Sequence, residues 1–447
     1  MGEGGAGGDR PSEAAALSVC LVTTFYPPAN FGGDGVHVQR LASLLAARGC
    51  RVRVVHNPDA HRLLAGGRAA VGATLPHEGW QADPGVEVVA VAGGGPAVAA
   101  TYLLAGSKRH QADLAALVDG FDVVHFHNPS LIGGPRAFGL GSGVRLYTTH
   151  EHWLLCPTHV LFRYGREVCT RPTCVSCTLV HRRPPQLWRS TGMLDRAVDD
   201  LHAILCPSRF TAALHRRRFP SARIEVLPLP APVPGPGAGG VESPPGAASP
   251  FFLYAGRLEP IKGVDRLVRA FASVRGAALV IAGTGSQWAT LRAQAAGMAG
   301  VTFTGPLPQE QVLALCRDAL AVVVPSAGYE TFGGVAVEAM AMGTPAVVAD
   351  IGPLPELVED GGGLTFGDEA ELATVLQGLV DEPGRVTTLG QGARRVAAER
   401  HGPEGFLAAY LSIVAAVATA SGRPELARRA RAAAPAGHVA RPGPTGP

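Results

Sequence analysis

The sequence predicts an α/β protein built from two doubly wound parallel-sheet domains that face each other across a cleft. Three observations carry this expectation. From Leu17 onward, short Val/Ile/Leu-rich runs alternate with helical patterns, the signature of parallel βα units. The alternation stops at a Pro/Gly/Ala/Ser-rich stretch, residues 228–250, and restarts at Phe251, as two domains joined by a linker would. A chain of 447 residues with 47% hydrophobic and 17% charged side chains exceeds one ordinary core and suits strands buried on both faces.

In the first series, "LSVCLVTTF", "RVRVVH", "VEVVAV", "DVVHFH", "VRLYTTH" and "AILCPS" read as strands. Between them lie periodic segments such as "VHVQRLASLLAARG", stopped by a glycine. "FFLYAG", "ALVIAG", "VTFTG", "LAVVVPS" and "PAVVAD" form the second series. This divides the chain into a polar N-terminal arm to residue 16 and a first domain over 17–227, with a Cys-rich insertion at 152–190. After the linker come a second domain over 251–402, a helix over 403–420 and an Arg/Ala/Pro/Gly-rich tail over 421–447 expected to be disordered.

The formal charge of +3 is small for this length, so nothing calls for a nucleic-acid partner. Met1–Ala16 lacks the basic start and apolar centre of a signal peptide. The longest apolar run, residues 406–420, falls short of the ~20 residues of a membrane span. Eight cysteines without a secretion signal point to a reducing compartment, hence a cytoplasmic protein with thiols or metal ligands.

Three segments carry the chemistry. In "AGYETFGGVAVEAMAMG" (327–343), Glu330 lies in a strand-to-helix loop, Gly333 and Gly334 open the helix, and Glu338 follows eight residues after Glu330. Glycines there let a ligand approach the backbone, and the helix N-terminus favours an anion. In "YAGRLEPIKGVDRL" (254–267), Arg257 and Lys262 follow a strand end, a pairing of fork and point charge that suits a diphosphate. Lys262 is one of only two lysines in the chain, the other being Lys108. In "FYPPANFGGDGVHVQRLASLLAARG" (25–49), Gly32 and Gly33 precede a helix, but the spacing is wrong for a dinucleotide fingerprint.

Together these segments resemble the retaining GT-B glycosyltransferases of family 4 (glycosyl transferases group 1), in the member type that carries a Cys-rich insertion. The specific parts are the Glu-x7-Glu of residues 330–338 and the Gly-Arg-Leu-x-x-x-Lys-Gly of residues 256–263. The resemblance implies two Rossmann-like domains, a nucleotide-sugar donor and no catalytic metal. It places Glu330 on the donor sugar, Glu338 on the ribose, and Arg257 and Lys262 on the diphosphate. Backbone amides of Phe332, Gly333 and Gly334 would assist, and Gly32 and Gly33 would border the donor phosphate and the acceptor. His150, in "YTTHEHW", would lie near the donor sugar; relatives often continue with aspartate where Glu151 and His152 stand, which leaves those two without an assigned role.

Two other features fall outside that core. His125 and His127, in "VHFHNP", pair with His150 and His152 as a metal-site pattern or as cleft lining, and cleft lining is the reading adopted. Cys156, Cys169, Cys174 and Cys177 have the spacing C-x12-C-x4-C-x2-C; this suits a structural zinc, with an iron–sulfur cluster or a metal-free thiol loop as alternatives. The following "VHRRPPQLWRS" (180–190) reads as a solvated connection or as a contact with an anionic lipid surface or lipid-linked acceptor. The expected activity is sugar transfer from a nucleotide-sugar to a hydroxyl of a small or lipid-linked acceptor, with retention of anomeric configuration. A nucleotide-sugar epimerase on the same architecture is the alternative, and a non-catalytic scaffold is a third reading.

Overall fold

The computed structural model describes residues 16–65, 80–91, 93–232 and 250–435. The N-terminal arm and most of the linker lie outside these residues. Chain order in the first unit is β1 (Ser18–Thr23), α1 (Gly33–Ala47), β2 (Arg51–His56), α2 (Pro58–Ala65), β3 (Val86–Ala90), α3 (Gly94–Leu104), α4 (Lys108–Val118) and β4 (Val123–Asn128). It continues with β5 (Val144–Thr148), the short hairpin β6 (Phe162–Arg163) and β7 (Glu167–Val168), α5 (Cys174–Val180), α6 (Met193–Asp199), β8 (Ala203–Cys206), α7 (Arg209–Arg218) and β9 (Ile224–Val226). Seven of these strands form a parallel sheet in the order β3-β2-β1-β4-β5-β8-β9. Every residue of β1 and β4 is buried, so β1 is apolar between its terminal Ser18 and Thr23, while β4 places His125 and His127 among buried apolar residues.

The second unit runs β10 (Phe251–Ala255), α8 (Val264–Phe271), β11 (Ala278–Ala282), α9 (Trp288–Gln294), β12 (Val301–Gly305), α10 (Gln309–Asp318), β13 (Ala321–Val324) and α11 (Gly334–Met342). Then come β14 (Ala346–Ala349), α12 (Leu354–Val358), β15 (Gly363–Phe366), α13 (Glu369–Asp381) and α14 (Pro383–His401). Its six strands are parallel in the order β12-β11-β10-β13-β14-β15. In both sheets the order reverses at one place, between β1 and β4 and between β10 and β13. Loops leaving the carboxyl ends of strands at such a reversal diverge and open a crevice. The three segments singled out in the sequence leave β1, β10 and β13, so topology alone sends them to the crevices.

Two C-terminal helices complete the molecule: α15 (Pro403–Ala420) and α16 (Pro424–Ala433). The first returns to the N-terminal unit, where Phe406, Leu407, Tyr410, Leu411 and Val414 pack into the core formed by β1, α1 and β5. The 383–420 stretch is long and apolar enough to cross a membrane by length and composition, yet half of its most apolar window is buried in the protein, as for a core helix. The second helix corrects the expectation of a disordered tail from residue 421. Composition misled there, because Leu426, Ala427 and Ala430 recur at helical spacing and are buried. Pro424 opens the helix, and Arg429 clamps Asp122 with two bonds of 3.0 and 2.8 Å.

Candidate active site

On the C-terminal side, the loop after β10 and the loop after β13 are held together by backbone. Gly263 adopts a left-handed φ of 63°, and a Cβ there would sit 2.1 Å from the Pro325 carbonyl oxygen, so only glycine allows this approach. The same contact zone includes a hydrogen bond of 2.8 Å from the Ala327 amide to the Ile261 carbonyl. Locked this way, Lys262 donates from Nζ to both oxygens of Glu330 at 2.6 and 2.9 Å. Ser326 Oγ donates to the same carboxylate at 2.6 Å. Burial works against the Glu330 charge, but Lys262 and Ser326 outweigh it and hold the carboxyl below its ordinary value, with Arg257 adding to the effect. Arg257 itself is exposed at the mouth. It stays anchored by the Tyr254 hydroxyl, which donates to its carbonyl at 2.7 Å.

Helix α11 begins beside these groups. Gly333 caps it in a left-handed conformation, φ 100°, wedged against Leu354 and Leu357. Phe332 is buried against His401, while Gly334 is exposed with open space where a side chain would stand. The first turn of the helix therefore opens toward the crevice. Glu338, one turn further, faces the other domain and meets Arg40 of α1 at 3.4 Å.

On the N-terminal side, Gly32 and Gly33 are exposed at the start of α1, with nothing within 4 Å of either side-chain position. Asp34 follows in the first turn and accepts a 2.9 Å bond from Asn128 Nδ2 at the end of β4. His150 sits just past β5, its Nε2 2.9 Å from His127 Nδ1. His37 of α1 lies against both rings, and the three imidazoles offer nitrogens within 4.8 Å of one another. Burial pushes His150 down to about 4, with Glu151 opposing, and burial also drives His37 and His127 far below their ordinary value. All three are neutral imidazoles near pH 7. Such a trio can donate to or accept from a sugar hydroxyl, and it is also a competent donor set for a divalent cation.

The two halves also touch where the loop carrying Glu330 meets His150. Thr331, next to Glu330, donates from Oγ1 to the His150 carbonyl at 2.9 Å. Ser208 and Thr211 hydroxyls donate to the Thr331 carbonyl at 3.1 and 3.2 Å. Glu356 of α12 accepts from the Arg209 and Phe210 amides at the start of α7, at 2.9 and 2.7 Å. Phe162 of the β6–β7 hairpin lies over Gly328, beside Ile261.

The structure thus brings Glu330, Lys262, Arg257, Phe332, Gly333, Gly334 and His150 to one cleft, with Gly32 and Gly33 across from them. Glu338 is at the cleft but engaged by a residue from the opposite domain. Sequence reasoning missed Arg40, Ser326 and His37. Arg40 and His37 were legible only as members of the α1 periodicity; Ser326 ends its strand in "VVVPS", where a small hydroxyl residue carries no signal of its own.

Of the four insertion cysteines, Cys174 and Cys177 lie on α5, Cys169 directly follows β7 and Cys156 precedes the hairpin, all as free thiols. Among the described residues the donors that converge within 4.8 Å are those of His37, His127 and His150, so the structure does not draw the four sulfurs into one ligand cluster. Cys156 and Cys177 are buried and Cys174 is exposed. Tyr164 donates its amide to Cys177 Sγ at 3.4 Å, and Cys156 Sγ lies 3.2 Å from Thr158 Oγ1. Burial raises the Cys169 thiol first, and the nearby Cys156, Cys174 and Cys177 add to the shift, so the four share one electrostatic neighbourhood.

Two Rossmann-like domains with a cationic and imidazole-lined crevice between them define the GT-B class. The sequence comparisons agree: the Glycosyltransferase Family 4 model matches residues 31–232 and the Glycosyl transferases group 1 model residues 249–382. The chain belongs to this family of GT-B glycosyltransferases. It is 40% identical over 165 residues to D-inositol 3-phosphate glycosyltransferase 1 of Catenulispora acidiphila, covering 33% of this chain and 39% of that protein. It is 39% identical over 153 residues to the glycogen synthase of Mycobacterium tuberculosis, covering 32% and 37%. The match thus spans about two-fifths of these curated relatives. Among solved structures, sucrose-phosphate synthase from Thermosynechococcus elongatus superposes with a TM-score of 0.60 at 20% identity over 91% of this chain and 98% of its own. Anabaena HepE in complex with UDP-glucose gives 0.60 at 18% over 91% and 99%. At these identities the likeness is one of fold.

Proposed function

We propose that the protein transfers a sugar from a nucleotide-sugar donor to an acceptor hydroxyl, with retention, in the cytoplasm. The observation that carries this reading is the convergence of Lys262, Glu330, Arg257 and the open first turn of α11 at the carboxyl ends of β10 and β13. Departure of the nucleotide builds negative charge on its diphosphate. Lys262, Arg257 and the helix N-terminus are preorganised to stabilise that charge. Glu330, kept ionised by Lys262 and Ser326, accepts hydrogen bonds from donor-sugar hydroxyls and fixes the ring. Glu338 takes the ribose hydroxyls once Arg40 releases it. His150, held neutral, bonds the sugar from the opposite domain, and Gly32 and Gly33 leave room for phosphate and acceptor. The leaving phosphate oxygen takes the acceptor proton, so no step requires a metal. The HepE crystals, which contain UDP-glucose, support a nucleotide-sugar as the donor class.

The test is a panel of nucleotide sugars screened by thermal shift, then assayed for transfer with the product's anomeric configuration read by NMR. Lys262→Ala and Glu330→Ala should each lower turnover by about 10²–10³-fold without loss of fold. Turnover near wild type in both variants overturns the assignment. An inverted product overturns retention, and isomerised donor formed without acceptor would support the epimerase.

We further propose that Cys156, Cys169, Cys174 and Cys177 hold one structural zinc. The support is the C-x2-C pair of free thiols on α5, with Cys169 and Cys156 in the flanking loops and the Tyr164 amide already directed at Cys177 Sγ, the kind of outer bond that steadies a thiolate ligand. Elemental analysis of the purified chain should give about one zinc per molecule; a ratio far below one removes the proposal, and iron in its place assigns a cluster.

A further inference from the structure

Eight large hydrophobic side chains are exposed among the described residues, and six of them gather at one place: Leu103, Leu104, Val175, Leu179, Val180 and Leu187. They come from the end of α3, from α5 and from the short helical turn at Leu187–Ser190. Hydrogen bonds tie the end of α3 to the segment that follows α5. Tyr102 Oη donates to the Pro184 carbonyl at 3.0 Å, and Trp188 Nε1 donates to the Tyr102 carbonyl at 2.9 Å. Beneath the patch, Arg189 bonds the Trp153 carbonyl at 2.8 Å and stacks on Trp188, with its guanidinium carbon 4.8 Å from the ring centre. The exposed side chains therefore stand on a rigid, cross-linked base. Exposure at 70% for Leu187 and 66% for Leu104 gains nothing for a surface that only meets water.

The charges on the patch's own segments have one sign, and the acidic residues that border them are Asp113, Glu167 (paired with Arg163) and Asp195 (paired with Arg218). Lys108, Arg109, Arg171, Arg182 and Arg183 are exposed beside it. Neither residues 93–112 nor residues 168–194 contain an aspartate or glutamate. Leucine and valine tips ringed by cations match an interface of acyl chains under anionic headgroups, and match poorly a protein surface of ordinary mixed charge.

We propose that this face docks the protein on an anionic membrane surface, with Leu104, Val175, Leu179 and Leu187 entering the headgroup boundary and Arg182 and Arg183 paired with lipid phosphates. The same insertion that carries α5 reaches the cleft through Phe162 over Gly328, so docking sets the cleft beside the bilayer. The proposal stands independently of the reaction assigned above.

The experiment is cosedimentation of the full chain with vesicles of phosphatidylcholine alone or mixed with phosphatidylglycerol. Wild type should partition onto the mixed vesicles and be released by salt. Leu179→Glu with Leu187→Glu, and separately Arg182→Gln with Arg183→Gln, should each lower partitioning by about tenfold or more. Leu63→Glu with Leu64→Glu, the exposed pair on α2, should leave it unchanged. Nucleotide-sugar thermal shifts, measured on every variant, separate loss of docking from loss of the donor site. Failure of wild type to bind mixed vesicles overturns the proposal, as does equal binding by all variants. Self-association abolished by Leu179→Glu and Leu187→Glu also overturns it, by assigning the face to a second copy of the chain.

Discussion

Among individual residues, histidine dominates the electrostatics of this molecule. Burial pushes His125 down to about 3, and His56, His150, His152, His215 and His401 down to about 4, from 6.5. Each is neutral when folded and takes up a proton near its ordinary value when unfolded. Between pH 6.5 and about 4 the unfolded chain therefore binds more protons, and stability falls as pH falls through that window. Every such group contributes up to about 1.4 kcal/mol per pH unit there. The melting temperature should be flat near neutrality and drop steeply below pH 6.5, as read by calorimetry across a pH series. A midpoint unchanged down to pH 5 would show that these imidazoles are protonated in the fold. Glu330 has the same sign at lower pH: its carboxyl is held below the ordinary value of 4.5, so it is ionised in both states above that value and its contribution is lost only as pH falls below it.

At the scale of elements, legibility followed burial and glycine. The central strands β1, β10 and β13 are buried almost throughout, so each reads as a largely apolar run, and β4 was legible from its Val-Val start and Phe126 despite the buried His125 and His127. Helix α11 was legible from Gly333–Gly334 at its start and Gly343 at its end, and both Gly333 and Gly343 do take left-handed conformations. By contrast, β9 and β15 are sheet edges of three and four residues with mixed exposure. Neither alternation nor an apolar run survives at that length. The β6–β7 hairpin has two residues per strand, and its turn lacks the Asn-Gly type signal. Of the site, Glu330, Lys262 and Arg257 were legible because their loops carry charges where the rest of the chain is apolar. The Arg40–Glu338 pair was not, since it joins residues 298 positions apart and depends on how the domains close.

At the scale of the whole molecule, the C-terminus decides whether the N-terminal unit has a complete core. Helix α15 leaves the second domain and inserts Phe406, Leu407, Tyr410, Leu411 and Val414 among Leu21, Leu41 and Leu146. Full burial of each large side chain is worth roughly 1.5–3 kcal/mol, so the helix contributes an amount comparable to the entire 5–15 kcal/mol stability of a domain. Helix α16 adds Leu426 and the Arg429 clamp on Asp122, whose carboxylate also holds the Ser18 amide and hydroxyl at 2.9 and 2.8 Å. A chain ending at Gly402 should fail to give a cooperatively folded N-terminal unit, although every strand of both sheets is present. A chain ending at Ser421 should fold with a lowered melting temperature, and Arg429→Ala should reproduce part of that loss. Denaturant unfolding followed by circular dichroism distinguishes the cases. A two-state transition of normal midpoint in the chain ending at Gly402 would mean that α15 rests on a core already closed without it.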